Sequence, residues 1–379
     1  MSDVPINGFC DERFASVRAA FEKNFALDLE LGATFALAIE GEFVVDLRGG
    51  FTDEDRTTPW REDTIVGVSS SAKVPAAICG LMAVDRGLIE LDAPVADYWP
   101  EFAAAGKENV TVRQVFSHAS GVAGFDPPTT WRDLLDWDVA VSRLAAQAPW
   151  WEPGTACGYH AMTFMFLIGE LVRRVTGASL GRFLREEVTQ KIEADFFLGL
   201  PESAVSRLAD SVAGQMREMD EDSFLYRTTA GLFAGEEGGP AVAFSDPRWS
   251  ALDVNGFGNA KSMVKLGSIL ANGGSLYGHE FMSNDTVRLA GQEQMYTHDP
   301  YFGAPARYGL GVGLDSKEFP LHFDNAMHWG GFGGSTIVME PDSRSCWSYV
   351  PSNLDPALAG DARGRRLSRA AIAGVQALS

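Results

Sequence analysis

The pattern of apolar and polar residues predicts a helix followed by a β-hairpin at the start of the chain. Apolar positions recur at helical spacing between residues 9 and 27, which favours an amphipathic helix. Two short apolar runs follow at residues 33–39 and 43–47, separated by Glu40-Gly41. Because glycine allows a tight turn between two such runs, we expect a hairpin here.

The remainder of the chain changes from helical to strand-like patterning. Residues 76–215 have a mostly helical pattern, and the breaks coincide with prolines, namely Pro94, Pro100, Pro127, Pro128, Pro149 and Pro153. Three apolar segments, residues 308–314, 336–339 and 345–350, predict strands. Residues 360–378 predict a closing helix, on which the basic run 363–369 predicts a solvated face.

Composition and charge narrow the possible classes of protein. The 379 residues are 46% hydrophobic and 22% charged, which is typical of a globular protein with a large core or two joined lobes. The net charge of −20 disfavours nucleic acid and anionic surfaces as partners. The chain has no signal-peptide pattern at its start and no run of ~20 apolar residues, so we expect a cytoplasmic protein without a membrane partner. Four separated cysteines also suit a reducing compartment.

Ser70 and Lys73 form the most informative pair in the sequence. Residues three apart on a helix lie on one face with Cβ atoms ~5–6 Å apart, so this hydroxyl and this amine can meet. Residues 64–68 predict a short strand and residues 76–83 a helix, so Ser70 lies at a strand-to-helix junction. Free N–H groups at a helix start favour the negative charge that develops in acyl transfer. Lys73 can accept a proton only when it is neutral, which requires a cleft that lowers its pKa.

Two other serines compete with Ser70 for the role of nucleophile. Ser262 precedes Lys265 at the same spacing, but Asn259 predicts a helix cap before it, which makes Ser262 an ordinary surface position. Ser179 is the centre of a Gly-x-Ser-x-Gly sequence, but it follows a helix, whereas a nucleophile of that type follows a strand. Serine is also a favoured helix cap, so Ser70 and Lys73 alone leave a structural role open.

Further motifs surround Ser70-x-x-Lys73 in an order that resembles a known superfamily. They are Gly50-Phe51, the sequence Leu-Ile-Glu-Leu-Asp-Ala-Pro-Val at residues 88–95, the segment ending in Ser-His-Ala-Ser-Gly at residues 111–121, and Trp-Glu-Pro-Gly-Thr at residues 151–155. Over roughly residues 30–350, the chain resembles the serine β-lactamases and penicillin-binding proteins, and within them the family VIII carboxylesterases, which are similar to class C β-lactamases. The resemblance implies an α/β (α+β) fold of β-lactamase type, with an antiparallel sheet flanked by helices plus an all-helical lobe.

The resemblance also implies how the chain divides into lobes. Residues 1–75 and 255–379 are expected to form a discontinuous α/β lobe and residues 76–254 a mostly helical lobe, with the active site between them. Residues 221–258 are rich in glycine and aromatic side chains with little periodicity, which predicts a long loop. We expect this loop to form a wall of the acyl or alcohol pocket.

Tyr159 is the catalytic partner that the resemblance assigns to Ser70 and Lys73. It lies in Gly158-Tyr159-His160-Ala161, at the place where β-lactamases have Tyr-x-Asn, a motif that this chain lacks. A lysine ammonium lowers the pKa of a nearby phenol, so Tyr159 and Lys73 can share one proton and together deprotonate Ser70. A half-buried aromatic residue at the start of a helix is the structural alternative for Tyr159.

A glycine-rich segment near the end of the chain supplies the third element of the resemblance. Trp329-Gly330-Gly331 stands where β-lactamases have Lys-Thr-Gly, a sequence absent from this chain. By analogy with the family, we expect substrate contacts from His328, Trp329, Gly330 and Gly331, and an oxyanion hole from the N–H groups of Ser70 and Phe332. An indole offers no positive charge, so the replacement favours neutral esters over carboxylates. The structural alternative is a glycine-rich hairpin between two strands.

These observations predict a serine hydrolase that cleaves carboxylic esters through an acyl-enzyme on Ser70. β-Lactamase, D-amino-acid peptidase, amide hydrolase and acyltransferase activities use the same chemistry, although the missing Lys-Thr-Gly disfavours the first two. A non-catalytic penicillin-binding-like module is disfavoured because a buried lysine is costly without a function. We expect a small-molecule ester as the substrate, and neither a cofactor nor a metal, since the six histidines show no zinc-binding pattern.

Overall fold

A computed structural model describes residues 4–213, 219–236, 242, 244, 246–355 and 361–378 of the chain. The strands are β1 (Ile6–Cys10), β2 (Gly32–Ile39), β3 (Glu42–Gly50), β4 (Val66–Gly67), β5 (Phe197–Leu198), β6 (Val212–Ala213), β7 (Gly256–Gly258), β8 (Ser275–Leu276), β9 (His279–Glu280), β10 (Met295–Asp299), β11 (Ala304–Tyr308), β12 (Gly313–Leu314), β13 (Met327–Gly330), β14 (Thr336–Glu340), β15 (Ser345–Pro351) and β16 (Asn353–Leu354). The α-helices are α1 (Ala15–Ala26), α2 (Lys73–Asp85), α3 (Val112–Phe116), α4 (Trp137–Ala146), α5 (Thr163–Thr176), α6 (Leu180–Leu184), α7 (Phe224–Thr228), α8 (Pro247–Ser250), α9 (Ala260–Ala271), α10 (Asn284–Ala290) and α11 (Ala362–Gln376).

The described residues build a nine-stranded antiparallel sheet in the order β1-β3-β2-β15-β14-β13-β12-β11-β10. Within the sheet, β15 pairs with β2, so a strand from near the end of the chain lies beside one from near its start. The predicted hairpin is confirmed as β2 and β3, and two of the predicted strands are confirmed as β14 and β15. The sheet therefore combines residues 6–50 with residues 295–351.

Side-chain size along β2 determines how helices pack on the two faces of the sheet. Phe35 and Leu37 point into the core that α1 and α11 share with the sheet. Ala36 and Ala38 alternate with them and face the larger core on the other side, next to α9. Gly267 of α9 lets that helix approach closely, because a Cβ atom there would lie 2.6 Å from Cys346 Sγ of β15.

Two predicted elements differ from the structure in their bounds. The helix expected over residues 9–27 begins only at a 3-10 turn, Glu12–Phe14, which leads into α1, because residues 9 and 10 belong to the edge strand β1, whose backbone pairs with β3. The single strand expected over residues 308–314 is two strands, β11 and β12, separated by a turn in which Gly311 has a φ of +73°. Strands β10 and β13 had no sequence prediction, since their short runs lack a clear period of two.

The last helix is present as α11, and its basic face is not fully solvated. The first residue of the prediction, at position 360, lies outside the described residues. Arg363 is buried and forms ion pairs with Glu30 and Asp361, contrary to the expected exposure of the basic run. In the described residues, helices are too short or too polar to cross a membrane.

Candidate active site

Ser70 lies in a sharp turn between a strand and a buried helix. Strand β4 is followed by a 3-10 turn at Ser69–Ala72, which continues into α2, so the predicted junction is confirmed. Ser69 takes a left-handed φ of 48°, an uncommon conformation for a residue with a Cβ atom. The helix beyond the turn is buried along most of its length, but Ser70 itself remains partly exposed. The turn thus holds the serine hydroxyl where a substrate can reach it.

Lys73 reaches the Ser70 hydroxyl from the first turn of α2. Its Nζ atom lies 3.3 Å from Ser70 Oγ and donates a hydrogen bond of 2.8 Å to the carbonyl oxygen of Ala161. The side chain is 2% exposed, and burial lowers the pKa of Lys73 to about 7. The ring of Tyr159 lies 4.9 Å from Nζ and favours the cation, but this attraction is too weak to offset burial. A large fraction of Lys73 is therefore neutral near pH 7.

Tyr159 approaches the same pair from the segment before α5. Its hydroxyl is buried and makes no well-formed hydrogen bond with any described residue, although the side chains of Ser70 and Trp329 lie close enough to favour its ionised form slightly. Burial dominates and raises the pKa of Tyr159 above its ordinary value. The phenol is therefore protonated in this geometry, contrary to the lowered pKa that a lysine ammonium was expected to cause.

Aromatic residues from three parts of the chain hold the Tyr159 ring. Ring centroids lie 4.8 Å away for Tyr301, 5.5 Å for Phe302, 5.6 Å for Trp329 and 5.3 Å for His118. Asp299 accepts hydrogen bonds from the Tyr301 backbone N–H at 2.8 Å and from the Tyr308 hydroxyl at 2.6 Å. Asp299, Tyr301 and Phe302 had no sequence prediction, because they lie at or just after the end of β10, a strand that the pattern did not reveal.

Two buried histidines lie beneath Tyr159 and remain neutral. His160 donates from Nδ1 to Gly158 O at 2.7 Å, accepts from Ser120 Oγ at 2.6 Å, and burial lowers its pKa to about 4. His118 accepts from the His160 backbone N–H through Nδ1, and burial lowers its pKa well below the ordinary value. Because both rings stay uncharged, Lys73 is the group of this cluster that titrates near neutral pH.

The glycine loop, defined here as residues 331–335, packs against the nucleophile turn. Ser335 Oγ donates to Val68 O at 2.7 Å and lies 2.9 Å from Ser71 Oγ. A Cβ atom at Gly331 would lie 2.6 Å from Val68 O, so only glycine allows this close approach. The loop connects β13 to β14, so these residues also form a glycine-rich hairpin between two strands, as the structural alternative expected. Phe332 lies in this loop and is partly exposed.

The four residues expected to bind substrate take different positions around the site. Trp329 is buried against Tyr159, and Gly331 contacts the nucleophile turn. Gly330 is exposed at the end of β13. His328 packs on Phe319, which in turn packs on Phe302, so this histidine is two rings away from Tyr159.

The competing serines serve as helix caps. Ser262 belongs to a capping box with Asn259, as expected, but it is buried rather than on the surface. Lys265 donates to the carbonyl oxygens of Ile192 and Glu193, away from Ser262. Ser179 caps α6 two residues after the left-handed Gly177, which ends α5. Among the described residues, the hydrogen-bond partners of both hydroxyls are backbone groups, Arg182 N–H for Ser179 and Asn259 N–H and C=O for Ser262.

Metal ligands do not converge in the part of the chain that the structure describes. No group of three or more His, Cys, Asp or Glu side chains there is placed to hold a metal ion. The amine of Lys73 and the phenol of Tyr159 are the groups beside Ser70 that can transfer protons.

Comparison with known proteins identifies the family. Residues 21–371 match the Beta-lactamase family. The Esterase/beta-lactamase LipL of Mycobacterium tuberculosis is 31% identical over 363 residues, which are 92% of this chain and 83% of LipL. The crystal structure of a family VIII carboxylesterase has a TM-score of 0.89 and 39% identity, and the match covers 98% of this chain and 100% of that one. A penicillin-binding-protein homologue from Caulobacter crescentus has a TM-score of 0.87 and 36% identity over 98% of this chain and 100% of its own.

The chain therefore belongs to the β-lactamase family. The predicted resemblance to this superfamily and, within it, to the family VIII carboxylesterases is confirmed, and so is the predicted β-lactamase-like α+β fold.

Proposed function

We propose that the protein is a carboxylesterase-type serine hydrolase that forms an acyl-enzyme on Ser70. The observation that carries the proposal is the 3.3 Å distance between Ser70 Oγ and the amine of Lys73, whose burial lowers its pKa to about 7. A nucleophile needs a base that is deprotonated at working pH and within reach of its proton. The relatives named as an esterase and a carboxylesterase support this class of enzyme.

The acylation half of the reaction follows from these positions. Neutral Lys73 accepts the Ser70 proton while Oγ attacks the carbonyl carbon of the ester. The carbonyl electrons move to oxygen, and the N–H groups of Ser70 and Phe332 bind the resulting oxyanion. Collapse of the tetrahedral intermediate breaks the bond to the alcohol, which leaves with the proton from Lys73. In deacylation, water attacks the acyl carbon while Lys73 accepts its proton; the bond from the acyl carbon to Ser70 Oγ then breaks, Lys73 returns the proton to Oγ, and the carboxylic acid is released.

Tyr159 acts in this scheme as a proton donor rather than as a phenolate. Its raised pKa keeps the hydroxyl protonated, and the side chains of Ser70 and Trp329 lie near it. A protonated phenol can donate a hydrogen bond to the leaving alcohol oxygen and pass it the proton that Lys73 carries. Lys73 is then the direct base, and Tyr159 completes the relay.

A neutral small-molecule ester is the substrate that this site favours. The wall beside Tyr159 consists of aromatic side chains, and Trp329 stands where a cationic lysine would attract a carboxylate. The net charge of −20 also gives no long-range attraction for anions, including nucleic acid.

We further propose that the site lies between two lobes, formed by residues 1–75 with 255–379 and by residues 76–254. Support comes from the origins of the groups, since Tyr159 precedes α5 while Trp329 belongs to the sheet. The expected wall from residues 221–258 is supported by Phe224, whose ring would lie 2.7 Å from a Cβ atom at Gly158. Residues 237–241, 243 and 245 of that segment lie outside the described residues.

Hydrolysis of p-nitrophenyl butyrate by the wild type and by two serine variants tests the proposal. Ser70→Ala should lose at least roughly 10³-fold in kcat/KM, because it removes the nucleophile. Ser262→Ala is the matched control, since it has the same Ser-x-x-Lys spacing without a nearby amine. A fluorophosphonate probe should label the wild type at Ser70, as identified by mass spectrometry of peptides. An active Ser70→Ala variant, or a label on another serine, would reject the assignment.

A further inference from the structure

A buried arginine outside the site makes contact with the glycine loop. Arg363, in the first turn of α11, donates from Nη2 to the carbonyl oxygen of Gly333 at 3.1 Å. Gly333 follows Phe332 in the chain and has a φ of +93°. The loop is thus held from one side by Ser335, which reaches the nucleophile turn, and from the other side by Arg363.

Arg363 has a partner for every N–H group of its guanidinium. Nη2 donates to Asp361 at 2.7 Å in addition to Gly333, and Nε donates to the same carboxylate at 3.1 Å. Nη1 donates to the carbonyl oxygen of Leu29 at 3.1 Å and to Glu30 at 3.1 Å. Five donors in fixed directions are a property of arginine that lysine lacks. The guanidinium therefore ties three separate segments together at one point.

The loop backbone also packs directly on the second carboxylate of this cluster. A Cβ atom at Gly334 would lie 2.0 Å from Asp361 Oδ2 and 3.2 Å from Arg363 Nη2. Asp361 is itself fixed, because it caps α11 by accepting from the backbone N–H groups of Arg363 and Gly364. Position 334 therefore has no room for a side chain on the side of this cluster, and the Gly333 carbonyl is held by Arg363.

Such a cluster is difficult to explain by stability alone. Glu30 and Arg363 are buried, and taking charges out of water costs as much as their attraction returns in many proteins. Glu30 in turn accepts hydrogen bonds from Tyr349 and Asn24, so its orientation is also fixed. In some proteins, buried ionic groups instead fix a single geometry of the groups that they join.

We propose that Arg363, oriented by Glu30 and Asp361, is a positioning residue that holds the glycine loop so that the Phe332 N–H stays aligned with the Ser70 N–H in the oxyanion hole. This inference rests on the proposed function. Arg363 does not touch the reacting atoms and acts through the Gly333 carbonyl. Its loss should weaken binding of the tetrahedral intermediate more than binding of the substrate.

The test compares Arg363→Met and Arg363→Lys with the wild type and with Glu170→Gln. Glu170→Gln is the control for disrupting a buried ion-pair cluster elsewhere, because Glu170 is a buried carboxylate on α5 with two arginine partners, Arg173 and Arg174. The measurements are kcat and KM for p-nitrophenyl butyrate, the burst amplitude that counts acylatable sites, the inhibition constant of an alkyl boronic acid, and Tm. The boronate forms a tetrahedral adduct on serine and so probes the oxyanion hole.

We expect Arg363→Met to lower kcat per acylatable site by roughly 10–100-fold, with KM changed less than about twofold and boronate affinity reduced in parallel. Arg363→Lys should recover part of both losses, and it serves as the folded variant if Arg363→Met does not fold. Glu170→Gln should lower Tm while keeping kcat. If both Arg363 variants lose Tm but keep wild-type kcat and boronate affinity, Arg363 is only structural and the inference is wrong. A wild type that neither hydrolyses the ester nor reacts with the fluorophosphonate instead rejects the proposed function, and the inference with it.

Discussion

The amine of Lys73 donates its shortest hydrogen bond, 2.8 Å, to the backbone carbonyl of Ala161 rather than to a carboxylate. A carboxylate beside the amine would stabilise the cation and keep the lysine protonated. A neutral carbonyl holds the amine in place without that effect. The anchor therefore directs Nζ at Ser70 while leaving burial free to lower its pKa.

Replacing Lys73 should remove activity and increase stability. Lys73→Met keeps the apolar stem and removes a buried amine, so we expect kcat/KM for p-nitrophenyl butyrate to fall roughly 10²–10⁴-fold. We expect the free energy of unfolding at pH 6 to rise on the order of 1–3 kcal/mol, since the cost of burying the cation disappears. Lys265→Met is the control, because that amine is only partly buried and bonds carbonyls far from Ser70. Urea unfolding of both variants measures this change. A Lys73→Met variant that is less stable than the wild type would contradict the expected gain.

Activity should rise with pH through the pKa of Lys73. The base must be neutral, so kcat/KM is expected to increase across about pH 7 and to reach a plateau above it. The ionisation of Lys73 also affects the stability of the fold, but over a different pH range. Because the folded pKa lies below the ordinary value of 10.5, the unfolded chain binds more protons between about pH 7 and 10.5, and this group makes stability increase with pH there. A pH–rate profile that falls through pH 7 would exclude Lys73 as the base.

Tyr159→Phe should separate catalysis from stability. The hydroxyl has no well-formed hydrogen bond in the described structure, so its removal should leave Tm within a degree or two of the wild type. We expect kcat to fall roughly 10²-fold or more, since proton transfer to the leaving alcohol loses its relay. Tyr308→Phe is the contrasting variant, because its hydroxyl donates to buried Asp299, and its loss should cost about 1–3 kcal/mol. Wild-type kcat in Tyr159→Phe would show that Lys73 serves alone.

A methyl group at Gly331 should disturb the oxyanion side of the site. The added Cβ atom would lie 2.3 Å from Ser335 Oγ and 2.6 Å from Val68 O, so the glycine loop must move away from Ser70. We expect Gly331→Ala to reduce kcat by roughly 10-fold or more. Gly67→Ala, just before the nucleophile turn, is the control, because its nearest contact would be Phe257 at 3.8 Å. Equal activity of the two variants would argue against the close packing of loop and turn.

Sequence patterns predicted the local parts of this site better than the distant ones. Ser70 and Lys73 are neighbours on one helical turn, so their spacing alone indicated that they meet. The hairpin of β2 and β3 was equally local. In contrast, Asp299 and His118 lie near Tyr159 only because of tertiary packing, and no sequence pattern indicates that either of them is close to it.

Burial reversed two expectations about individual charges. Arg363 lies in a basic run that favours solvent, yet carboxylates from residues 30 and 361 draw it into the interior. An ammonium nearby was expected to lower the pKa of Tyr159, yet the desolvation of its own hydroxyl raises that pKa. The local sequence shows which charged groups are present. It does not show the dielectric constant around them, because that depends on the whole fold.

The bond from Ser335 to Val68 spans 267 positions of sequence. A contact of such long range forms only after the last strands have found their places beside the first ones, and high contact order slows that step. Helices, by comparison, gain their signal in circular dichroism much earlier during refolding. Recovery of esterase activity after dilution from urea should therefore lag behind the return of the helical signal. Turnover would then report when the last strands pack beside the first ones, rather than when the chain first collapses.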